Sequence, residues 1–255
     1  RRLLRAASIF GQTFWRGGVT RLLGAEADGL DRWLDHLVSL EHIEKHRESR
    51  FAREIELGFR HALLREAVYS LLTDFDRRAG HLAAAKYLVE VGETEAQTIA
   101  EHFHLGGDMQ SAAEYYLRAA QHAYLQQDTD GMLRFSSLGR DCASDSITRG
   151  TLQAILCLAH ASRMDFPEAL ADGEAAVLAL PIGSLWWCRA MQQLFVLPQQ
   201  ETSDSSESHE QRMARLIELF SRARPSPDAL TAYAAASAYL ISYTAHLADR
   251  DHAFA

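Results

Sequence analysis

From position 74 onward the apolar residues recur at helical spacing in blocks closed by Gly, Asp or Pro, and no stretch alternates with period two. A chain patterned this way can bury its apolar stripes only by packing helix on helix. The spacing predicts helices over 76–91, 94–105, 109–126, 131–142, 151–163, 167–180 and 184–197, joined by short turns. Such a series of antiparallel neighbours is a helical hairpin array.

A degenerate repeat supports this reading. Gly107, Asp108, Ala112, Tyr116 and Ala119 are echoed by Asp165, Ala169, Gly173, Ala176 and Pro181, and a looser turn sits at Gln127 and Asp128. In each case a tight turn leads into a helix with small residues every three or four positions, the tetratricopeptide type of pattern. Small side chains let the next helix approach closely, and Pro181 ends its helix by removing a backbone donor.

The first 73 residues read differently. Leu3, Leu4, Ala7 and Phe10 mark a helix that stops at Gly11, and a second short helix around Val19, Leu22 and Leu23 stops at Gly24. Leu30, Trp33, Leu34, Leu37 and Val38 stripe a third. After Glu41, Ile43 precedes a charged run to Arg50, and Phe51, Ile55, Leu57 and Phe59 then fall at even spacings. That period predicts a β-hairpin with a polar tip at 47–50. Helix resumes near Ala62 with Leu63, Leu64, Ala67, Val68, Leu71 and Leu72 on one face. Helix, helix, helix, hairpin, helix is the order of a winged-helix module with an added helix.

The expected fold is therefore mainly α: a winged-helix-like module with one β-hairpin over 1–73, then an α-solenoid of hairpins over 74–198. Residues 199–208 are polar throughout and read as a linker, and 209–255 continue the array. The chain of 255 residues starts Arg1-Arg2-Leu3 without an initiator methionine and ends just past a helical stretch, so it reads as a piece of a longer protein.

Composition narrows the function classes. A net charge of -8, from 26 basic and 34 acidic side chains, supplies no field to attract phosphate backbones or anionic lipid, which disfavours nucleic acid as a partner. Cys142, Cys157 and Cys188 are odd in number and fit no metal spacing, which suits a reducing, cytoplasmic setting. No signal peptide is evident. Residues 229–248 are long enough to span a bilayer, but their Ala, Ser, Thr and Tyr fall short on hydropathy, so no membrane is expected.

Neither Gly17-Gly18 nor Gly106-Gly107 is followed by the Lys-Ser/Thr of a P-loop. No nucleophile with a base, carboxylate pair or metal cluster emerges from spacing, so this stretch is expected to carry no catalytic residue, bind no cofactor and hold no metal. His42 and His46, and His102 and His104 either side of Phe103, read as solvated. Lys45, Arg47, Arg50 and Arg53 make the hairpin basic, whereas Asp28, Asp31, Asp35, Glu41 and Glu44 around the third helix repel phosphate. Arg60, Arg65 and Glu66 read as helix-surface ion pairing, and Tyr69, Tyr115 and Tyr116 as packing.

The most distinctive stretch is Phe59-Arg60-His61-Ala62-Leu63-Leu64-Arg65-Glu66-Ala67-Val68-Tyr69. It resembles a signature of bacterial STAND-type AAA signalling ATPases, found just after their nucleotide-binding core in proteins fused to serine/threonine kinase, adenylate cyclase or LuxR-type domains. Leu3 to Gly11 with Phe14-Trp15, then Ala100-Glu101-His102-Phe103 with Gly106-Gly107 and 112–120, are similar to the same region. The likeness is specific to about residue 120 and generic from there to 197.

The resemblance implies a regulatory, protein-binding piece of an ATP-dependent signal-transduction protein. Its winged-helix module would act on an adjacent nucleotide-binding domain of the same chain, and its helical groove would take a protein or small inducer. ATP or ADP is implied for the parent protein only. His61 is the candidate contact to an ADP phosphate there, since imidazole can donate to a phosphate oxygen; the alternative is that His61 caps its helix or packs in the core. The competing function is a DNA-binding winged-helix regulator with a helical effector domain.

Overall fold

The computed structural model describes residues 1–24, 29–197 and 208–253. The 199–207 portion of the expected linker and Asp28 lie outside the described residues. The chain divides into two units, Arg1–Tyr115 and Tyr116–Ala255, and the sequence-based boundary at 73/74 falls within the first.

The first unit opens with α1 (Arg2–Phe10), β1 (Thr13–Trp15), α2 (Arg16–Leu23) and α3 (Leu30–Ser39), followed by β2 (Ile43–Lys45), β3 (Glu56–Phe59) and α4 (Ala62–Ser70). This is the expected helix and hairpin order with one strand added. β1 pairs antiparallel with β3, giving the sheet order β1-β3-β2, with Phe14 opposite Leu57 and Ile43 opposite Phe59. Three residues are too few to display alternation, and Phe14 and Trp15 are both buried, so β1 left no period-two trace.

Leu3, Ala7, Phe14, Val19, Leu34, Ile43, Leu57 and Phe59 form the core of this part, with Leu64 and Val68 of α4 packed against it. α5 (Asp74–Glu90), α6 (Ala96–Gly106) and the start of α7 (Met109–Leu125) complete the unit. α5 and α6 cross closely because Gly106 lacks a side chain: a Cβ there would stand 2.8 Å from the backbone nitrogen of Leu82.

The second unit continues α7 into α8 (Thr129–Cys142), α9 (Ser146–Ser162), α10 (Phe166–Ala179), α11 (Leu185–Val196), α12 (His209–Ser221) and α13 (Leu230–Ala253), the last preceded by a 3₁₀ turn at Pro227–Ala229. α9 starts five residues earlier than its apolar pattern predicts, because Asp145 accepts a hydrogen bond from the Thr148 N–H and caps it. Ala169 and Ala176 are buried as the repeat requires, and a Cβ on Gly173 would meet Leu194 at 2.7 Å. The core centres on Trp187, Met191, Leu216 and Phe220, with Phe220 stacked on Tyr233 at 4.6 Å. No helix among the described residues is long and apolar enough to cross a membrane.

Candidate partner groove

His61 occupies the N-cap of α4 with its side chain exposed and making no capping bond; only its carbonyl accepts, from Leu64 and Arg65. Neither side-chain capping nor core packing describes it. α4 itself buries no residue fully, and Leu63 (79% exposed), Leu71 (60%) and Phe75 (81%) face outward, so the predicted single apolar face is split. Leu64 and Val68 point inward while Leu63 and Leu71 do not. Arg60 bridges Glu41 and Glu44, and the guanidinium groups of Arg65 and Arg77 lie 5.5 and 5.2 Å from the centroid of the Tyr69 ring.

Two of the four hairpin cations are paired with carboxylates. Lys45 pairs with Asp35 at 2.7 Å, and Arg50 pairs with the buried carboxylate of Glu93 at 2.8 Å. Arg16 holds Asp31 through two hydrogen bonds of 2.6 and 2.8 Å.

Two histidine readings need correction. His46 is only partly solvated: its Nδ1 lies 2.8 Å from Glu56, a largely buried carboxylate that also accepts from the Trp15 indole and the Arg50 N–H. Burial works to raise the Glu56 pKa, but these hydrogen bonds outweigh it and hold the group below its usual range. His102 is buried too, against His81 of α5, with 2.9 Å between their Nδ1 atoms, while His81 Nε2 meets the Tyr69 hydroxyl at 2.8 Å. On either side of Phe103 the two histidines point away from each other, and the one expected to be solvated, His102, faces α5 instead. Burial pushes both imidazoles down, His81 to about 4 with a further contribution from Arg77. Both are neutral near pH 7, the state in which Tyr69 O–H can donate to His81 and His81 Nδ1–H to His102.

In the second unit Arg140 and His160 lie 3.7 Å from Asp172, with Cys157 one turn before His160. Burial raises the Cys157 thiol to about 12 and the residue is fully covered, so the cluster joins α8, α9 and α10 and presents no nucleophile. Cys188 is likewise pushed up to about 11 by burial. Among the described residues no group of His, Cys, Asp or Glu is arranged to hold a metal ion.

A groove of about 520 Å³ lies between α7, α8, α9 and α11. Tyr124, Met132, Leu158 and Ala161 give it apolar walls, and Gln127, Thr129, Ser162 and Gln193 add polar groups. Polar and apolar groups thus line the groove in similar measure. Beside Tyr124, the Arg189 guanidinium sits in the corner that Tyr124 and Trp186 form, 4.5 and 4.6 Å from the centroids of rings that meet at 73°. Helical spacing hinted at this, since Trp186, Arg189 and Gln193 share a face of α11, but nothing local placed Tyr124 against them. Comparison with protein-family models, characterised proteins and solved structures finds no match for this chain.

Proposed function

We propose that this chain is a regulatory and protein-binding region of a larger ATP-dependent signal-transduction protein. The helical array senses a partner or inducer in the groove beside Tyr124, and the winged-helix-like part acts on an adjacent nucleotide-binding domain. The observation that carries the reading is α4: the Phe59–Tyr69 signature runs from the buried end of β3 onto a helix with no fully buried residue, exposing His61 and Leu63 where another body can cover them. Exposed apolar surface of this kind is characteristic of interaction sites. The groove supplies the second contact surface, and the buried, high-pKa cysteines favour binding over catalysis.

The alternative, a DNA reader, is weakened by the pairing of Lys45 and Arg50 with Asp35 and Glu93. The coding sequence upstream of Arg1 tests the proposal directly. A nucleotide-binding core with a Gly-rich loop ending in Lys-Ser/Thr is expected there; a gene without one contradicts the reading.

A further inference from the structure

α3 carries more apolar surface than its core contacts use. Leu30 and Leu34 are buried in the core of the first unit, and Asp31 and Asp35 are taken up by Arg16 and Lys45. Trp33, 60% exposed, and Leu40, 48% exposed, lie on the remaining face with His36. Single apolar residues scattered over a surface need no explanation, but these two share one site. With Leu4, Leu23 and Leu37 they wall a cavity of about 530 Å³ between α1 and α3.

The polar side chains in that wall are of one kind. Arg1 and Arg2 stand at the start of α1, His36 and His42 stand opposite, and among the described residues no carboxylate, amide or hydroxyl side chain joins them. A peptide or sugar brings polar groups along its whole length, and no side chain along the apolar wall can replace the water those groups would lose. An alkyl body has no such groups and gains from burial against leucine and tryptophan. Two exposed guanidinium groups, permanently charged, favour an anionic end. The volume falls within the range of about 300–1,000 Å³ that small-molecule pockets occupy.

From this geometry we infer that the cavity binds a monomeric amphiphilic carboxylate, its alkyl chain against Leu4, Trp33, Leu37 and Leu40 and its carboxylate at Arg1 and Arg2. His42, in the wall, accepts at its carbonyl from the Arg60 N–H at 3.1 Å, so the ligand adjoins the residues that lead into α4. The inference stands on the first unit alone. Neither the groove beside Tyr124 nor a nucleotide-binding domain enters it.

The test uses the whole chain with its α-amino group acetylated, so that only side-chain charge remains beside the cavity. Octanoate, octanol, octyltrimethylammonium and acetate are titrated below the concentrations at which they form micelles, and binding is read from the NMR shift of the Trp33 indole N–H. Octanoate is expected to shift it at about a tenfold lower concentration than octanol, the scale of one charge-assisted hydrogen bond, and acetate to leave it unmoved. From butanoate to octanoate the affinity rises, by up to about fourfold for each added CH₂. Arg1→Gln/Arg2→Gln removes the preference for octanoate over octanol and keeps the dependence on chain length. Leu40→Gln weakens both ligands, and thermal melts establish that the variants are folded. No shift with octanoate, an equal response to octanoate and octyltrimethylammonium, a preference that survives in folded Arg1→Gln/Arg2→Gln, or a shift produced only by phosphatidylglycerol vesicles overturns the inference.

Discussion

Glu56 joins three parts of the first unit through one carboxylate. It accepts from Trp15 at 3.1 Å, from the Arg50 N–H at 2.8 Å and from His46 at 2.8 Å. Glu56→Ala leaves these donors without their acceptor and is expected to destabilise the unit by about 2–3 kcal/mol in urea unfolding, because hydrogen bonds to buried charges are the costly ones to lose. The histidine pair makes a pH prediction. Both folded-state pKa values lie below the ordinary histidine value of about 6.5, so below that pH the unfolded chain takes up protons that the native state refuses. Stability is therefore full above about pH 6.5 and falls as the pH drops toward about 4, where His81 titrates in the folded state. A His81→Gln/His102→Gln variant is expected to show a shallower loss over that window in denaturant titrations. None of these residues announces its role in the sequence. Glu56 looks like one polar position in an alternating stretch, and His102 looks like a surface histidine, because the contacts that define them come from 6 to 41 positions away.

At the scale of elements, one device joins several helices. Gly92, Gly107, Gln127 and Met164 all have φ between 57° and 83°. The N–H of the next residue, Glu93, Asp108, Asp128 or Asp165, donates to the carbonyl five positions back, at 2.9 to 3.0 Å. This is the Schellman ending, after which Asp108 and Asp128 also cap the following helix. Left-handed backbone costs a non-glycine residue about 1 kcal/mol. Met164 is 75% exposed and loses little packing, so Met164→Gly is expected to stabilise the second unit by about 0.5–1 kcal/mol in thermal unfolding. Gly106→Ala goes the other way. Its new methyl meets the backbone of Leu82, which cannot rotate aside, and a loss of about 1–3 kcal/mol is expected despite the better helix propensity of alanine. The turns and small residues made the array legible from Asp74 on. Strand β1 was not legible, because its three residues pair with a partner 43 positions away, Phe14 with Leu57, and that relation is invisible to a local period.

For the whole molecule, charge and context decide between the two functional readings. With a net charge of -8 and its hairpin cations partly paired, the chain is expected to show no micromolar, salt-sensitive binding to random duplex DNA at low ionic strength. The central claim is that the first unit acts on a bound nucleotide held by a neighbouring domain. The most direct measurement is the rate of ADP release from the natural full-length protein, compared between the wild type and His61→Ala. Loss of one charge-assisted hydrogen bond to phosphate predicts release about tenfold faster. A full-length protein that holds no nucleotide, or a His61→Ala variant that releases ADP at the wild-type rate, would contradict the account.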